Sequence, residues 1–292
     1  LKDAFTNKET LPEGVHNTML KLFKYFLICG GLPDAVKLFV DNQNIVQVRA
    51  LQLETHNYYG IDASQYDKAN GLKIRSIYDL IPSFMENKKK RVVVKEISNK
   101  KGETFEKYQD EFEYLIASGI SNEVRAVPTP AFPLVQGMEK NLLKLYLNDV
   151  GILTAILYGN NINSIIHDER CINLGSVYET VVASELKAHG YDLFYYDNRK
   201  KGEVDFLINN YEEQSVLPIE IKSGKDYSLH AALDKFIANE DYPVKQALVF
   251  SNEREIKTDD NITYYPIYMI MFLNKQDAEH GKLEKITSIA WD

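Results

Sequence analysis

Apolar positions in residues 15–40, VHNTMLKLFKYFLICGGLPDAVKLFV, recur with helical spacing in two runs separated by Gly30-Gly31-Leu32-Pro33. Gly can end one helix and Pro can open the next at its first turn, so the pattern predicts two helices and a corner. In residues 46–150, VRALQLETHNYYGI and KIRSIYDLIPSFMEN read as amphipathic helices, RVVVKEI as a strand and TFEKYQDEFEYLIASG as a helix closed by Gly119. ISNEVRAVPTPAF then leads into a hairpin ending with LLKLYLN. From Gly151 the order becomes helix, strand, hairpin, helix, strand. GSVYETVVASELKAHGY predicts a helix, YDLFYYD at 191–197 a strand, SLHAALDKFIANE a helix and QALVFSN a short buried strand.

The hairpin of that last unit, GEVDFLINNYEEQSVLPIEIKSG at 202–224, sets three charged residues inside two apolar β-patterned runs. That placement is costly unless the charges are used. Period-2 alternation puts Asp205 on a face with Leu207, and Val204, Phe206 and Ile208 on the other; Glu220 and Lys222 share a face, with Ile219 and Ile221 opposite. With the polar turn NNYEEQS centred near Glu212, Asp205 comes to lie opposite Glu220, at ~5 Å between Cβ atoms. Two carboxylates that close repel one another. A hard divalent cation such as Mg2+ removes the conflict, and a lysine beside it can neutralise a phosphate or hold a water. An edge strand with a solvated acid–base pair explains an isolated Glu-x-Lys; the Asp-bearing strand at hairpin distance favours a site. Glu179 shares a helical stripe with Val182, Ala183 and Leu186, so an acid sits where the helix packs. A Glu stabilised near the helix N-terminus is the other account of it.

This pattern resembles the PD-(D/E)xK, or restriction-endonuclease-like, nuclease superfamily. Asp205 takes the place of the family's aspartate, Glu220-Ile221-Lys222 that of its (D/E)-x-K, and Glu179 that of the glutamate on the preceding helix. The resemblance implies Asp205, Glu220, Lys222 and Glu179 as catalytic residues, Asp205, Glu220 and Glu179 as ligands of Mg2+ or Mn2+, and DNA as substrate. YFLICGGLPDAVKLFV also resembles the Gly-Gly-x-Pro segment in the lid of a family of prokaryotic AAA-type ATPases. In that family the ATPase precedes a winged helix, and a nuclease-like domain of the group DUF4143 closes the chain. The resemblance continues through LQLETHNYYGIDASQY, IRSIYDLIPSFM, KLYLNDVGIL and the Glu179 helix.

The fold class so implied is α/β and multi-domain. A helical ATPase lid would span 1–48, a helical linker plus winged helix 49–150, and a restriction-endonuclease-like α/β domain with a mixed central sheet 151–292. No G-x-x-x-x-G-K-[ST] occurs in the sequence, and that loop is what holds nucleotide phosphates. ATP is therefore expected only on a nucleotide-binding core outside these residues, with homo-oligomer formation through the same region. A second class of function stays open, in which the nuclease-like fold never cuts and serves as a partner-binding or regulatory part of an ATP-driven switch.

A formal net charge of −8 gives no global attraction to nucleic acid, so DNA contact has to come from local basic surface. Lys88, Lys89, Lys90 and Arg91 open the most basic stretch, which runs on to Lys95, Lys100 and Lys101 with Glu96 as its one acid. Arg199, Lys200 and Lys201 precede Asp205 in a polar loop. Both sets can touch phosphates without reading sequence, and both are explained as well by solvated lysines at a strand edge or turn. His189 and His230 have no spacing that suggests a triad or a zinc pair. Cys29 and Cys171 sit in apolar settings, as buried thiols of a reducing compartment do. No apolar run approaches the ~20 residues of a membrane span, and the chain opens on Leu1, so the expectation is a piece of a longer cytoplasmic protein.

Overall fold

Gly30 and Pro33 punctuate the chain as their backbones dictate. In the computed structural model, which describes residues 1–66, 70–98, 102–167, 172–224 and 227–275, α1 (Lys2–Asn7) and α2 (Glu13–Cys29) come first. Gly30 caps α2 at φ 72°, and Pro33 opens α3 (Pro33–Asn42). Then come α4 (Ile45–Tyr66) and α5 (Gly71–Glu86), where apolar spacing predicts them. RVVVKEI is not a strand. Val94–Ser98 form a short helix, α6, and the Val92 N–H donates to the Leu143 carbonyl at 2.9 Å as a single backbone tie. The β-branched run is satisfied by packing Val92, Val94 and Ile97 against the main core, which overrides their strand preference. A 3-10 turn (Phe105–Tyr108) leads into α7 (Gln109–Ala117), and Gly119 follows at φ 73°. Lys100, Lys101 and Cys171 lie outside the described residues.

β1 (Ser121–Ala126) and β2 (Glu139–Leu147) form the expected antiparallel hairpin. It is not the wing of a separate unit. β1 also pairs in parallel with β3 (Phe194–Asn198), so the hairpin is the edge of one eight-stranded mixed sheet of order β2-β1-β3-β4-β5-β6-β8-β7. The other strands are β4 (Gly202–Asn210), β5 (Ser215–Ile221), β6 (Ala247–Ser251), β7 (Lys257–Asp259) and β8 (Ile262–Pro266). The sheet takes strands from both sides of residue 150, where the sequence suggested a boundary. The fold is α/β with a mixed central sheet, as expected.

Helices cover both faces of the sheet. α8 (Val150–Tyr158), α9 (Asn163–Ile166) and α10 (Leu174–Ala188) precede β3, and α11 (Ala231–Ile237) follows β5. The larger core cluster joins Leu27, Ile77, Leu115, Leu153 and Val182 of the helices to Phe206, Ile208 and Ile219. The smaller one sets Leu233 and Phe236 of α11 on Val204, Leu207, Val216 and Val249. α10 is buried around most of its circumference, including Glu179. Among the described residues no helix is long and apolar enough to cross a membrane.

A buried polar joint fixes α2 against the rest. The last carbonyls of a helix have no partner within it. Here Thr154 donates to the Leu27 carbonyl (2.6 Å), Arg49 and Gln52 to that of Ile28 (2.9 and 3.0 Å), and Gln52 to that of Cys29 (2.7 Å). Asp149 caps α8 by accepting the Ile152 N–H at 2.9 Å and reaches across to take the Gly31 N–H at 2.7 Å. The Gly-Gly-Leu-Pro corner is thereby tied to the segment that leads into α10.

Candidate catalytic site

β4 departs from strict alternation just where Asp205 sits. Across β3 and β4, Tyr196 faces Val204 but Phe194 faces Leu207, so two steps on one strand match three on the other. This is a β-bulge, which re-aims side chains beside it. Val204 consequently packs in the smaller core cluster while Phe206 and Ile208 pack in the larger, which corrects the common face expected for the three. Towards β5 the register pairs Leu207 with Pro218 and Phe206 with Ile219. One further step sets 205 against 220, as the turn length predicts. The ladder stops short of that step. The Ile221 N–H is taken instead by Asp205 Oδ2 at 2.8 Å, a side-chain carboxylate doing the work of a backbone carbonyl.

Glu220 is buried on the central strand β5, and its Oε1 accepts from Lys222 Nζ at 2.8 Å. The two therefore meet on one side of the strand while Ile219 and Ile221 enter the larger core cluster, as alternation predicts. Glu220 Oε2 is buried with no hydrogen-bond partner. On α10, Glu179 Oε1 is bonded to Lys90 Nζ, and Oε2 accepts from the Tyr146 hydroxyl at 2.9 Å. Lys144 is fully buried, ion-paired to Glu203 and 4.5 Å from the centre of the Tyr195 ring.

Lys144, Tyr146 and Glu203 were not foreseen as parts of the site, and Lys90 was read only as surface. LLKLYL carried a signal of the kind that marked Glu220, a charged residue inside an apolar strand run.

Electrostatics separate the acids. Burial first, then the Glu220 and Glu179 carboxylates, push Asp205 well above the usual carboxylate range, and Lys90 and Lys144 offset only part of this. Burial also raises Glu220 against the pull of Lys222. Burial works the same way on Glu179, but Lys90 and Lys144, with the hydrogen bonds from Lys90 and Tyr146, outweigh it and hold this acid below the ordinary value. For Lys90 and Lys144 burial opposes the charge, and the neighbouring acids, Glu179 foremost, more than compensate. Four acids, Glu179, Glu203, Asp205 and Glu220, thus face three lysines, Lys90, Lys144 and Lys222. The acid left over is Asp205, whose raised value favours its protonated form while no cation is bound.

The three-carboxylate metal set expected from the sequence is not assembled. Among the described residues no group of three or more His, Cys, Asp or Glu side chains is placed to hold a metal ion. Glu179 has both oxygens engaged by Lys90 and Tyr146. Asp205 and Glu220 remain, the latter with a free oxygen. A carboxylate pair suits Mg2+, which keeps several waters and takes one or two carboxylates alongside phosphate oxygens.

The basic stretch is divided: Lys90 and Arg91 turn inward, while Lys88, Lys89 and Lys95 are exposed. Lys90 is spent on Glu179, and Arg91 and Lys89 lie 2.8 and 3.9 Å from Asp197. Lys88 is exposed, as are Arg199 and Lys200 in the β3–β4 turn, while Lys201 lies 5.4 Å from the centre of the Tyr242 ring. His230 is held between Asp234 (2.8 Å) and the Tyr264 hydroxyl (2.7 Å), and His189 meets the Leu273 carbonyl at 2.9 Å.

A family model described as a domain of unknown function, DUF4143, matches residues 174–270. The chain carries a DUF4143 domain. Glu179, Asp205, Glu220 and Lys222 all belong to it. A second model, also described as a domain of unknown function, DUF8612, matches residues 20–162, which include Lys90, Lys144 and Tyr146. The site therefore draws its side chains from both matched regions. No curated protein and no solved structure matches the chain.

Proposed function

We propose that the DUF4143 domain hydrolyses phosphodiester bonds of DNA with the help of a divalent cation held by Asp205 and Glu220. The observation that supports this best is the unpartnered Oε2 of buried Glu220 in a cluster where acids outnumber lysines and Asp205 is left without a cation of its own. A bound Mg2+ would supply Lewis-acid polarisation of the phosphate and a more acidic water. Asp205 is oriented for its part by the Ile221 N–H, and Glu220 presents its free oxygen on the rigid central strand. Lys222 can swing from Glu220 Oε1 to the phosphate, where a positive charge stabilises the negative charge that builds up in the transition state. DNA as the polymer rests on the resemblance to PD-(D/E)xK nucleases. An ATP-driven partner, such as an AAA-type core, rests on the lid-like corner at Gly30–Pro33.

A second reading has its own support. Lys222 on Glu220 and Lys90 on Glu179 neutralise two acids without any metal, which suits a module that binds a partner or regulates an ATP-driven switch and does not cut. Thermal melts with and without Mg2+, beside a cleavage assay on single- and double-stranded DNA, separate the two. Metal-dependent stabilisation and cleavage support hydrolysis; neither effect supports the switch module.

A further inference from the structure

Glu179 belongs to the DUF4143 domain, yet the cation on it, Lys90, comes from the region matched by the other family. The loop between α5 and α6 is built to deliver that ammonium. Lys90 has φ 48°, in the left-handed region that L residues adopt uncommonly and mostly at turns. Its own N–H donates to the Asn87 carbonyl at 3.0 Å, Arg91 and Lys89 both reach Asp197, and the Val92 N–H is tied to β2 at 2.9 Å. The Nζ atom arrives by the first turn of α10: a Cβ added at Gly175 would lie 3.9 Å from it and 4.0 Å from Ser223 Oγ, next to Lys222.

We propose that Lys90 is a tethered cation that competes with a divalent metal for this cluster, so that the position of the 87–92 loop gates metal binding. The inference rests on the metal-dependent reading above and deepens it. An ammonium on Glu179 and a divalent ion on Asp205 and Glu220 draw on the same negative field, and each weakens the other. Withdrawing the loop breaks a small set of ties, the Arg91–Asp197 pair to β3 and the bond from the Val92 N–H to the Leu143 carbonyl of β2, while α5 ends before it at Glu86. Whatever pulls on the preceding region thereby acts on the site.

Calorimetric titration of Mn2+ alone into the whole chain, with metal-free melts alongside, tests this. Lys90→Met keeps the apolar stem and removes the charge. It is expected to bind Mn2+ about tenfold more tightly than the parent and to melt lower without metal, since Glu179 is left buried with less compensation. Asp197→Asn leaves Lys90 in place but loosens the loop, and is expected to tighten Mn2+ binding by a smaller factor. It carries the test alone if Lys90→Met does not fold. If the parent binds Mn2+ and neither variant binds it more tightly, the gate is wrong and the metal site stands. If no protein in the series binds Mn2+, the metal site falls and the gate with it.

Discussion

The Ile221 N–H donates to Asp205 Oδ2 at 2.8 Å at the point where the β4–β5 ladder ends at Phe206 and Ile219. Asp205 therefore does two jobs that substitutions can separate. Its oxygen completes a strand, and its charge belongs to a crowded set of acids.

The first prediction concerns pH. The folded-state pKa of Asp205 is raised, so its contribution to stability is fully present below the unfolded carboxylate range and is lost as pH rises towards the raised value. Glu179 is depressed and behaves oppositely: its contribution is present above the ordinary value and is lost as pH falls through the depressed one. Asp205→Asn keeps an acceptor for Ile221 and deletes the charge. In metal-free buffer above the raised pKa of Asp205 it should melt above the parent, by about 2–5 °C, and the difference should shrink as pH falls through that value. Parallel pH profiles for parent and variant would show that Asp205 carries no excess charge.

Lys222→Ala should cost about 1–3 kcal/mol without metal, because Glu220 then has neither oxygen bonded inside a buried strand. Mg2+ should restore much of this by binding the folded state preferentially, while cleavage of DNA is lost. A stability loss that persists at every Mg2+ concentration would point to the non-cutting module.

The joint at Asp149 is a structural prediction independent of chemistry. Asp149→Ala removes the α8 cap and takes away the acceptor of the Gly31 N–H, for a combined cost of about 1–3 kcal/mol in denaturant unfolding. Gly30→Ala should be comparably damaging: at φ 72° its added Cβ would lie 2.3 Å from Oδ1 of Asp149, a carboxylate whose two oxygens each accept a backbone N–H, Oδ1 from Ile152 and Oδ2 from Gly31. Variants that unfold at the parent's denaturant midpoint would remove the joint from the account.

Much of this fold was legible because its signals are local. The Gly30–Pro33 corner, the stripe that buries Glu179 and the polar turn at 211–214 each follow from a few neighbouring residues. Long-range relations were not legible. Nothing in ISNEVRA or KLYLN says that their hairpin adds to β3 instead of closing a wing, since a half-buried strand reads alike in either place. The β4 bulge was hidden for a similar reason: alternation in VDFLI looks regular until β3 imposes a different register. Lys90 was read as a surface lysine because its neighbours are lysines, and only the left-handed turn at that residue sends one of the four basic side chains at 88–91 to Glu179.

The most direct measurement is DNA cleavage by the whole chain and by Asp205→Ala, on single- and double-stranded substrates, in Mg2+ and in excess chelator. The account predicts that the parent cuts in Mg2+, that chelator abolishes cutting, and that Asp205→Ala is slower by about 100-fold or more. A parent that leaves both substrates intact in Mg2+, or an Asp205→Ala protein that cuts as fast as the parent, would contradict it.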